Sequence, residues 1–206
     1  MEAPFEAILF DFDGVLVDSE PIHFACWRQV LTPLSINLEW DHYHQHFIGV
    51  SDRKMAEALV GLASCPRTVE EVYALYPSKT ALFEKQMRAR LPFSSGVIDF
   101  ITGLAGYRLG VVSSSRRTEV EPVLAAGGIL SCFEVAVFGE DVTRHKPDPE
   151  PYLKAANMLQ TTRILVVEDS EAGEHSGRAA GFEVLRIPEP GLTVDLVKRR
   201  LNGHSQ

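Results

Sequence analysis

The sequence predicts a doubly wound α/β fold, in which helices cover both faces of a parallel sheet, interrupted by one helical insertion. Five short apolar runs carry the first part of this prediction, at residues 7–10, 108–113, 134–139, 163–169 and 183–188. Continuous apolar runs of this length, alternating with helical patterns, are typical of strands that are buried on both faces. The insertion follows from the unequal spacing of these runs.

Capping residues mark the helices that follow the predicted strands. Ser115 is predicted to cap a helix over residues 115–126, which ends before two glycines. A second helix is predicted over residues 148–159, where an Asp-Pro pair can open it. Ser170 is predicted to cap a third helix that ends near residue 181. Each helix begins just after a strand, as a parallel sheet requires.

One interval in the strand pattern is too long for a simple strand–helix–strand unit. About 95 residues separate the first strand from the second, whereas the later intervals are about 20 to 30 residues. The intervening segment contains helical patterns with Pro and Gly breaks and little strand character. We therefore expect an α/β core of residues 1–16 and 93–206 and a helical cap of residues 17–92, whose edges can act as hinges.

Composition and charge restrict the class of protein. The 206 residues, 45% of them apolar, are ample for a packed core. The formal charge of -8 argues against nonspecific nucleic-acid binding, and the basic cluster at residues 198–200 is expected to be a solvated helix end. No coiled-coil heptad is evident, so a monomer is expected.

The expected location is the cytoplasm. The N-terminal run "MEAPFEAILF" has an acidic start and no basic segment, unlike a secretory signal. No apolar segment of the sequence approaches the length of a bilayer span, so no membrane association is expected. Cys26, Cys65 and Cys132 are widely spaced without a CxxC pattern, which favours thiols in a reducing compartment over a disulfide framework.

Polar residues end four of the predicted strands. They are Asp11 and Asp13 after the first strand, Ser113, Ser114 and Ser115 after the second, Lys146 after the third, and Glu168 and Asp169 at the end of the fourth. Ligands of open parallel sheets bind outside these carboxyl ends, where the strand order reverses. Buried carboxylates need a compensating positive charge. Their hard oxygen atoms suit Mg²⁺, which commonly also binds a substrate phosphate, and we expect Mg²⁺ as the cofactor.

The paired aspartates permit a division of labour in phosphoryl transfer. One carboxylate can attack phosphorus and form an aspartyl-phosphate. The other can exchange protons with the leaving oxygen and then with water. Lys146 can contact the phosphate and keep the nucleophile ionised, while the hydroxyl of Ser113 can hold a phosphate oxygen together with backbone amides.

Simpler interpretations compete with these roles. Taken alone, the stretch 11–14 can be a polar turn, although Val15 occupies a position where a calcium loop would place another oxygen ligand. Ser114, Ser115 and Arg116 can either begin a helix or touch phosphate.

Two histidines in the cap raise the separate question of zinc. His42 and His46 share one helical face, but no third ligand is evident, and a solvated face is expected.

Four ordered segments, "DFDGVLVDSE", "VVSSS", "KPDPEPY" and "VVEDSEAGEHSGRAAGF", closely resemble the four motifs of the haloacid dehalogenase-like hydrolase superfamily. The resemblance covers nearly the full chain. It is closest to the subgroup that contains small phosphosugar phosphatases and β-phosphoglucomutase, in which a helical cap is inserted between the first two motifs.

The resemblance implies a role for each core residue. The roles are the nucleophile (Asp11), the general acid/base and backbone-carbonyl metal ligand (Asp13), the last protein metal ligand (Asp169), a carboxylate beside the metal or its waters (Glu168), the second-motif hydroxyl (Ser113) and the third-motif lysine (Lys146). Members that dehalogenate carbon lack an acid at the position of Asp13. The resemblance therefore implies phosphoryl transfer.

The resemblance is weaker in the cap, which selects the substrate. His23 and Lys79 resemble the residues with which β-phosphoglucomutase closes over its second phosphate, although ordinary packing is an equal alternative. The family arginine expected after "GVS" is Asp52 here, and Arg53 follows one place later. A substrate with one phosphate is therefore favoured over a bisphosphate.

The sequence thus predicts a Mg²⁺-dependent phosphomonoester hydrolase that acts on a small phosphorylated metabolite, such as a sugar phosphate. A mutase of the β-phosphoglucomutase kind is the alternative within enzymes. A signalling receiver that holds an aspartyl-phosphate is an alternative from another class, but the cap and the second aspartate argue against it. A noncatalytic sugar-phosphate binder is a minor alternative, because no key position has been lost.

Overall fold

The computed structural model describes residues 4–48, 50 and 52–203, except for the side chains of Asp52 and Arg88. The chain divides into two compact units at the Asp18/Ser19 and Arg90/Leu91 junctions. One unit contains the sheet and the other is helical. The helical unit spans Ser19–Arg90, against a predicted cap of residues 17–92.

A five-stranded sheet forms the centre of the α/β unit. Its strands are β1 (Ala7–Phe10), β2 (Arg108–Val112), β3 (Val135–Val137), β4 (Ile164–Glu168) and β5 (Glu183–Arg186). The spatial order is β3-β2-β1-β4-β5, and every neighbouring pair is parallel. After β1 the chain fills one side of the sheet and then the other, so the strand order reverses beside β1. The predicted doubly wound α/β fold is confirmed.

The helices divide between the two units. Those of the helical unit are α1 (Glu20–Leu31), α2 (Trp40–His46), α3 (Asp52–Val60), α4 (Val69–Tyr73) and α5 (Tyr76–Ala89). Those of the α/β unit are α6 (Val97–Gly103), α7 (Arg117–Ala126), α8 (Glu150–Leu159), α9 (Glu171–Ala179) and α10 (Thr193–Leu201). Among the helices that the structure describes, none is both long enough and apolar enough to cross a bilayer.

One part of the apolar core of the α/β unit lies between the sheet and α8. All four residues of β1 and all five of β4 are buried, as two-sided coverage of the sheet requires. Helix α8 packs across β1, β2 and β3 and buries Tyr152, Ala155 and Leu159 against Leu9 and Val166. This packing fixes the edge of the sheet at which β1 and β4 end.

Of the two helix N-caps predicted at serines, the structure confirms one and contradicts the other. Ser170 caps α9, because its hydroxyl accepts a hydrogen bond from the backbone N–H of Gly173 at 3.0 Å. The prediction for Ser115 is wrong. Helix α7 begins at Arg117 with Arg116 as its N-cap residue, and the Ser115 hydroxyl donates to Asp13 instead.

The helical unit has an apolar core of its own. Its buried side chains include Trp27, Leu31, Tyr43, Phe47 and Leu59. Helix α1 packs against α5, and α3 packs against α4. The N-terminus of α4 carries a capping box, in which Thr68 and Glu71 satisfy each other's backbone N–H groups. The predicted helical cap is confirmed.

Candidate active site

Three carboxylates converge at the carboxyl ends of β1 and β4. Asp11 directly follows β1, and its N–H donates to Val167 O at 2.9 Å, which continues the pairing of the two strands. Glu168 ends β4 and Asp169 follows it. One carboxylate oxygen from each of Asp11, Glu168 and Asp169 lies within 4.8 Å of the others. Residues from two strands therefore form one acidic cluster.

Lys146 enters this cluster from the loop after β3. Its ammonium donates to Asp11 Oδ1 at 2.7 Å, to Glu168 Oε1 at 2.6 Å and to Val112 O at 2.8 Å. The side chain is only 6% exposed. Three acceptors match the three protons of an ammonium group, so Lys146 ties together the ends of β1, β2 and β4.

Glu168 accepts hydrogen bonds on both of its oxygens. Besides Lys146, Oε1 accepts from the Tyr152 hydroxyl at 2.7 Å. Oε2 accepts from the N–H groups of Asp169 and Ser170 at 3.1 and 3.2 Å and from the Ser170 hydroxyl at 3.0 Å. Glu168 is fully buried. A carboxylate that accepts this many bonds is held in one orientation and holds Lys146 in turn.

Tyr152 is a site residue that the sequence reasoning did not identify. It lies on the buried face of α8, where its apolar ring is indistinguishable in pattern from a core residue. The sequence holds one indication of a polar role, because a tyrosine on a buried helix face normally finds a hydrogen-bond partner for its hydroxyl. The partner, Glu168, lies 16 positions away on another element, so the sequence does not show which residue it is.

One ammonium does not balance the three carboxylates. Burial raises the pKa of Asp11 well above its usual value, the charge of Glu168 raises it further, and Lys146 opposes both. Burial, followed by the charges of Glu168 and Asp13, raises the pKa of Asp169 to about 7. Burial also acts to raise the pKa of Glu168, but the charge of Lys146 and the hydrogen bonds donated to the carboxylate together outweigh it, and the pKa is lowered. Three carboxylates thus face one ammonium, and a further cation would favour their ionised forms. Their all-oxygen donor set fits Mg²⁺.

Gly14 is required by the approach of Asp169. The glycine has φ +76°, and a Cβ atom at this position would lie 1.9 Å from Asp169 Oδ2. Any side chain there would displace the carboxylate from the end of β1. The glycine of the "DFDG" stretch therefore serves the geometry of the acidic cluster.

Asp13 and the loop after β2 lie on the same edge of the sheet. Asp13 Oδ2 accepts a hydrogen bond from the Ser115 hydroxyl at 2.9 Å. The Ser113 hydroxyl oxygen accepts from the N–H of Ser115 at 3.0 Å, and the N–H of Ser113 donates to Val137 O at 3.0 Å. The predicted residues Asp11, Asp13, Ser113, Lys146, Glu168 and Asp169 thus all lie at the carboxyl edge of the sheet.

Ser114 and Arg116 are both exposed beside this edge. The N–H of Arg116 donates to Glu119 Oε2 at 2.9 Å at the start of α7. Contact of either side chain with a phosphate stays a prediction.

His23 and Lys79 meet within the helical unit. Lys79 Nζ lies 2.5 Å from His23 Nδ1, and the His23 ring stacks on Phe83 with centroids 3.8 Å apart. Lys79 is buried, and its ammonium lies 5.8 Å from the centre of the Trp27 ring. Burial, followed by the charge of Lys79, lowers the pKa of His23 to about 3. His23 is therefore a neutral acceptor for the Lys79 ammonium at physiological pH.

The remaining predictions for the cap concern charged and imidazole side chains. Arg53 forms exposed ion pairs with Glu57 and Glu70 at 3.8 and 3.1 Å. The Asp52 side chain lies outside the part of the chain that is described. The rings of His42 and His46 have centroids 4.7 Å apart, and His46 is exposed. The two rings lie close together, but this proximity by itself does not support zinc binding.

We expect the stability of the helical unit to fall in mild acid because of His23. The unfolded chain protonates His23 below its ordinary pKa of 6.5, whereas the folded chain resists protonation until about 3. The unfolded state then binds more protons, so stability is present at neutral pH and is lost as pH falls below 6.5. The loss between pH 7 and pH 5 is about 2 kcal/mol. Urea unfolding of wild type and His23→Asn at both pH values checks this. Equal pH dependence in the two proteins would contradict it.

The carboxyl edge of the parallel sheet thus brings together carboxylates, hydroxyls and one buried lysine. The sequence profile described as haloacid dehalogenase-like hydrolase matches residues 8–187. This match covers most of the chain, and the chain belongs to that family. The protein is an enzyme of the phosphatase class within it.

Comparisons with individual proteins agree with this assignment. The chain is 28% identical to a phosphorylated carbohydrates phosphatase of Thermotoga maritima over 181 residues, which cover 86% of this chain and 82% of the relative. It is 27% identical to β-phosphoglucomutase of Bacillus subtilis over 205 residues, which cover 95% of this chain and 89% of the relative. A crystal structure of a subfamily IA hydrolase of the superfamily from Geobacter sulfurreducens superposes with a TM-score of 0.75 at 23% identity, covering 95% and 97% of the two chains.

Proposed function

We propose that this protein is a Mg²⁺-dependent phosphomonoester hydrolase that acts on a small sugar phosphate through an aspartyl-phosphate on Asp11. The observation that carries the proposal is the bridge from Lys146 to Asp11 and Glu168 at 2.7 and 2.6 Å. It places an ammonium against a buried carboxylate at the switch point of the sheet. Such an arrangement suits an anionic substrate and a carboxylate nucleophile.

Mg²⁺ would be held by the carboxylates of Asp11 and Asp169 and by the backbone carbonyl of Asp13. When bound, it would neutralise charge on the phosphoryl oxygens. The raised pKa values of Asp11 and Asp169 support this site, because an added cation relieves the repulsion that raises them. Glu168 would act beside the metal, since its oxygens already accept bonds from Lys146, Tyr152 and the backbone.

The residues of the chain supply the remaining chemistry. A carboxylate oxygen of Asp11 attacks phosphorus, and the bond from phosphorus to the leaving oxygen breaks. Asp13 gives its proton to that oxygen, and it then takes a proton from the water that attacks the phosphoryl group. As water attacks, the bond from Asp11 to phosphorus breaks, inorganic phosphate leaves and the Asp11 carboxylate is regenerated. Lys146 stabilises the ionised form of Asp11 and contacts the phosphoryl oxygens. The Ser113 hydroxyl contacts the same group.

Three considerations support a sugar phosphate as substrate. Two relatives are named for reactions of phosphorylated carbohydrates or phosphoglucose. His23 and Lys79 form a polar pair in the cap that can contact the substrate, and Ser114 and Arg116 are exposed beside the sheet edge. Asp52 stands where the family arginine is expected, and Arg53, one place later, forms exposed ion pairs with Glu57 and Glu70, so a substrate with one phosphate is favoured over a bisphosphate.

The protein is proposed to work in the cytoplasm as a monomer, on a small metabolite rather than on nucleic acid or a membrane. The acidic charge of -8 repels nucleic acid and anionic lipid surfaces. The three cysteines are widely spaced and lack a CxxC pattern, which favours a reducing compartment. Gel filtration with light scattering tests the oligomeric state.

Product analysis separates the hydrolase from the mutase. We would follow β-glucose 1-phosphate by ³¹P NMR with Mg²⁺ and a trace of glucose 1,6-bisphosphate, together with a panel of hexose monophosphates, and with Asp11→Asn as the blank. Inorganic phosphate that accumulates over many turnovers supports the hydrolase. Glucose 6-phosphate without inorganic phosphate would establish a mutase, which the relative from Bacillus subtilis and the His23–Lys79 pair favour as second candidate. One phosphoryl group per protein, retained, would indicate a receiver.

We expect Asp169→Asn to weaken Mg²⁺ binding while leaving the fold intact. The amide keeps the shape of the side chain but loses a charged oxygen donor. Loss of an outer contact to a metal ligand typically costs about 10- to 100-fold in affinity, so loss of a direct ligand should cost at least that. Isothermal titration with Mg²⁺ measures the effect, and Glu171→Gln, an exposed acid two positions away, is the control. Unchanged affinity in Asp169→Asn would remove this residue from the ligand set.

A further inference from the structure

A hydrogen bond joins the loops that follow β1 and β2. The Ser115 hydroxyl donates to Asp13 Oδ2 at 2.9 Å, across a separation of 102 positions in the sequence. Asp13 is the residue that the proposed function assigns to proton transfer. Ser115 does not cap α7, where Arg116 is the N-cap residue. Its hydroxyl therefore binds the proposed acid/base residue and not the N-terminus of the helix that follows.

The backbone holds Ser115 in place from two sides. Its N–H donates to Ser113 Oγ at 3.0 Å, and its carbonyl accepts from the N–H of Gly139 at 3.1 Å. A Cβ atom on Gly139 would lie 2.5 Å from Ser114 O, so the two loops are in close contact. The constrained backbone fixes the Cβ atom of Ser115, and the hydrogen bond from its hydroxyl to Asp13 holds both side chains in one orientation.

Asp13 needs this orientation because it lies among other acids. Asp169 approaches the chain directly beside Asp13, because a Cβ atom on the adjacent Gly14 would lie 1.9 Å from Asp169 Oδ2. Repulsion disfavours orientations in which the Asp13 carboxylate points toward the cluster, but it does not select one of the remaining orientations. A donor on Oδ2 fixes its rotation, and proton transfer is effective only when acid and leaving oxygen are within hydrogen-bond reach.

We propose that Ser115 is a positioning residue for the general acid/base Asp13, an inference that rests on the proposed function. Its contribution depends on the leaving group. An alkoxide leaving oxygen must receive a proton as the bond to phosphorus breaks, whereas 4-nitrophenolate leaves without one. Loss of the Ser115 hydroxyl therefore affects alkyl phosphates far more than aryl phosphates with good leaving groups.

The test compares kcat/KM for glycerol 2-phosphate and 4-nitrophenyl phosphate in the full-length protein with Mg²⁺, because kcat/KM reports the steps up to loss of the leaving group. General acid catalysis is worth about 10²- to 10⁴-fold, and a misplaced acid should forfeit about 10- to 100-fold of it. We expect Ser115→Ala to lose that factor on glycerol 2-phosphate and less than about threefold on 4-nitrophenyl phosphate. Ser115→Thr, which keeps a hydroxyl, should retain most of the wild-type kcat/KM on glycerol 2-phosphate. Thr118→Ala, which removes an exposed hydroxyl from the first turn of α7, should change neither value.

A double variant adds an independent readout. In the Asp13→Asn background, Ser115→Ala should produce no further loss, because the residue through which it acts is already disabled. Equal losses on both substrates, or additive losses in the double variant, would overturn the inference and indicate a role in phosphate binding or loop structure. No loss on either substrate would also overturn it. Absence of turnover by the wild type on both substrates would instead overturn the proposed function, and the inference with it.

Discussion

Asp11→Asn is expected to lose turnover by about four to six orders of magnitude while it keeps the wild-type fold, since removal of a catalytic nucleophile costs on the order of 10⁶ in a well-studied hydrolase. The amide is nearly isosteric with the carboxylate but does not attack phosphorus. Initial rates of phosphate release with Mg²⁺ measure the loss. Asp99→Asn, on the exposed surface of α6, is the matched control.

The same substitution should not destabilise the metal-free protein at alkaline pH. The pKa of Asp11 is raised in the folded state, so folding favours its protonated form and ionisation costs stability as pH rises above the ordinary value of 3.8. A neutral amide removes that cost, although it also removes one acceptor from Lys146. We expect a midpoint of urea unfolding at pH 8 equal to or above that of wild type. Activity within tenfold of wild type would contradict the assignment of Asp11.

Lys146→Met is expected to destabilise the protein by about 3–5 kcal/mol, the usual cost of removing one partner from a buried ion pair. Lys146 is the ammonium between Asp11 and Glu168, and its side chain is 6% exposed. Without it, two buried carboxylates lose their charge partner, and Asp11 becomes harder to ionise. Turnover should fall by about 10²- to 10³-fold, as when a donor to the reacting oxygens is removed.

The double variant Lys146→Met/Glu168→Gln separates the two effects of Lys146. Because it removes one positive and one negative charge, it should recover much of the lost stability without recovering turnover. Urea unfolding and phosphate release, measured on the same preparations, provide both readouts. A Lys146→Met protein as stable as wild type would contradict the buried ion-pair account, and recovered turnover in the double variant would contradict a direct role for the lysine.

The fold was predictable because two-sided burial leaves a clear record in the sequence. The runs at 7–10 and 163–169 contain β1 and β4, which are buried along their whole length. The gap before β2 also predicted the helical unit, because no other arrangement of the strand pattern accounts for so long an interval. The boundaries of β3 were less accurate, since the predicted run of 134–139 extends beyond the strand of Val135–Val137 at both ends.

The residues at the strand ends were predictable for a geometric reason. Parallel strands end at one edge, so any polar residue that directly follows a strand is brought near the others, as Asp11 and Asp169 are. The hydrogen-bond partners of Tyr152 and Ser115 could not be predicted in the same way. Their hydroxyls act through partners 16 and 102 positions away, and the helical pattern predicts a core role for one and a capping role for the other.

Sequence spacing carries too little information to predict the side-chain contacts within the helical cap. His23 and Lys79 are 56 positions apart, and their contact depends on how α1 packs against α5. A resemblance suggested the pair, but the depressed pKa of His23 follows from burial that only the folded unit reveals. Substrate selection therefore has to be measured on the protein itself.

Trapping the phosphorylated protein tests the central claim most directly. Asp13→Asn would be mixed with acetyl phosphate and Mg²⁺, because this donor has a good leaving group and the variant lacks the base that activates water. After a rapid quench and borohydride reduction, peptide mass spectrometry would locate the modified residue. We predict reduction products of an acyl phosphate on the peptide containing Asp11, and none in the Asp11→Asn/Asp13→Asn double variant. A phosphoryl group on Ser113 or another side chain, or turnover with no modified Asp11 at any quench time, would contradict the account.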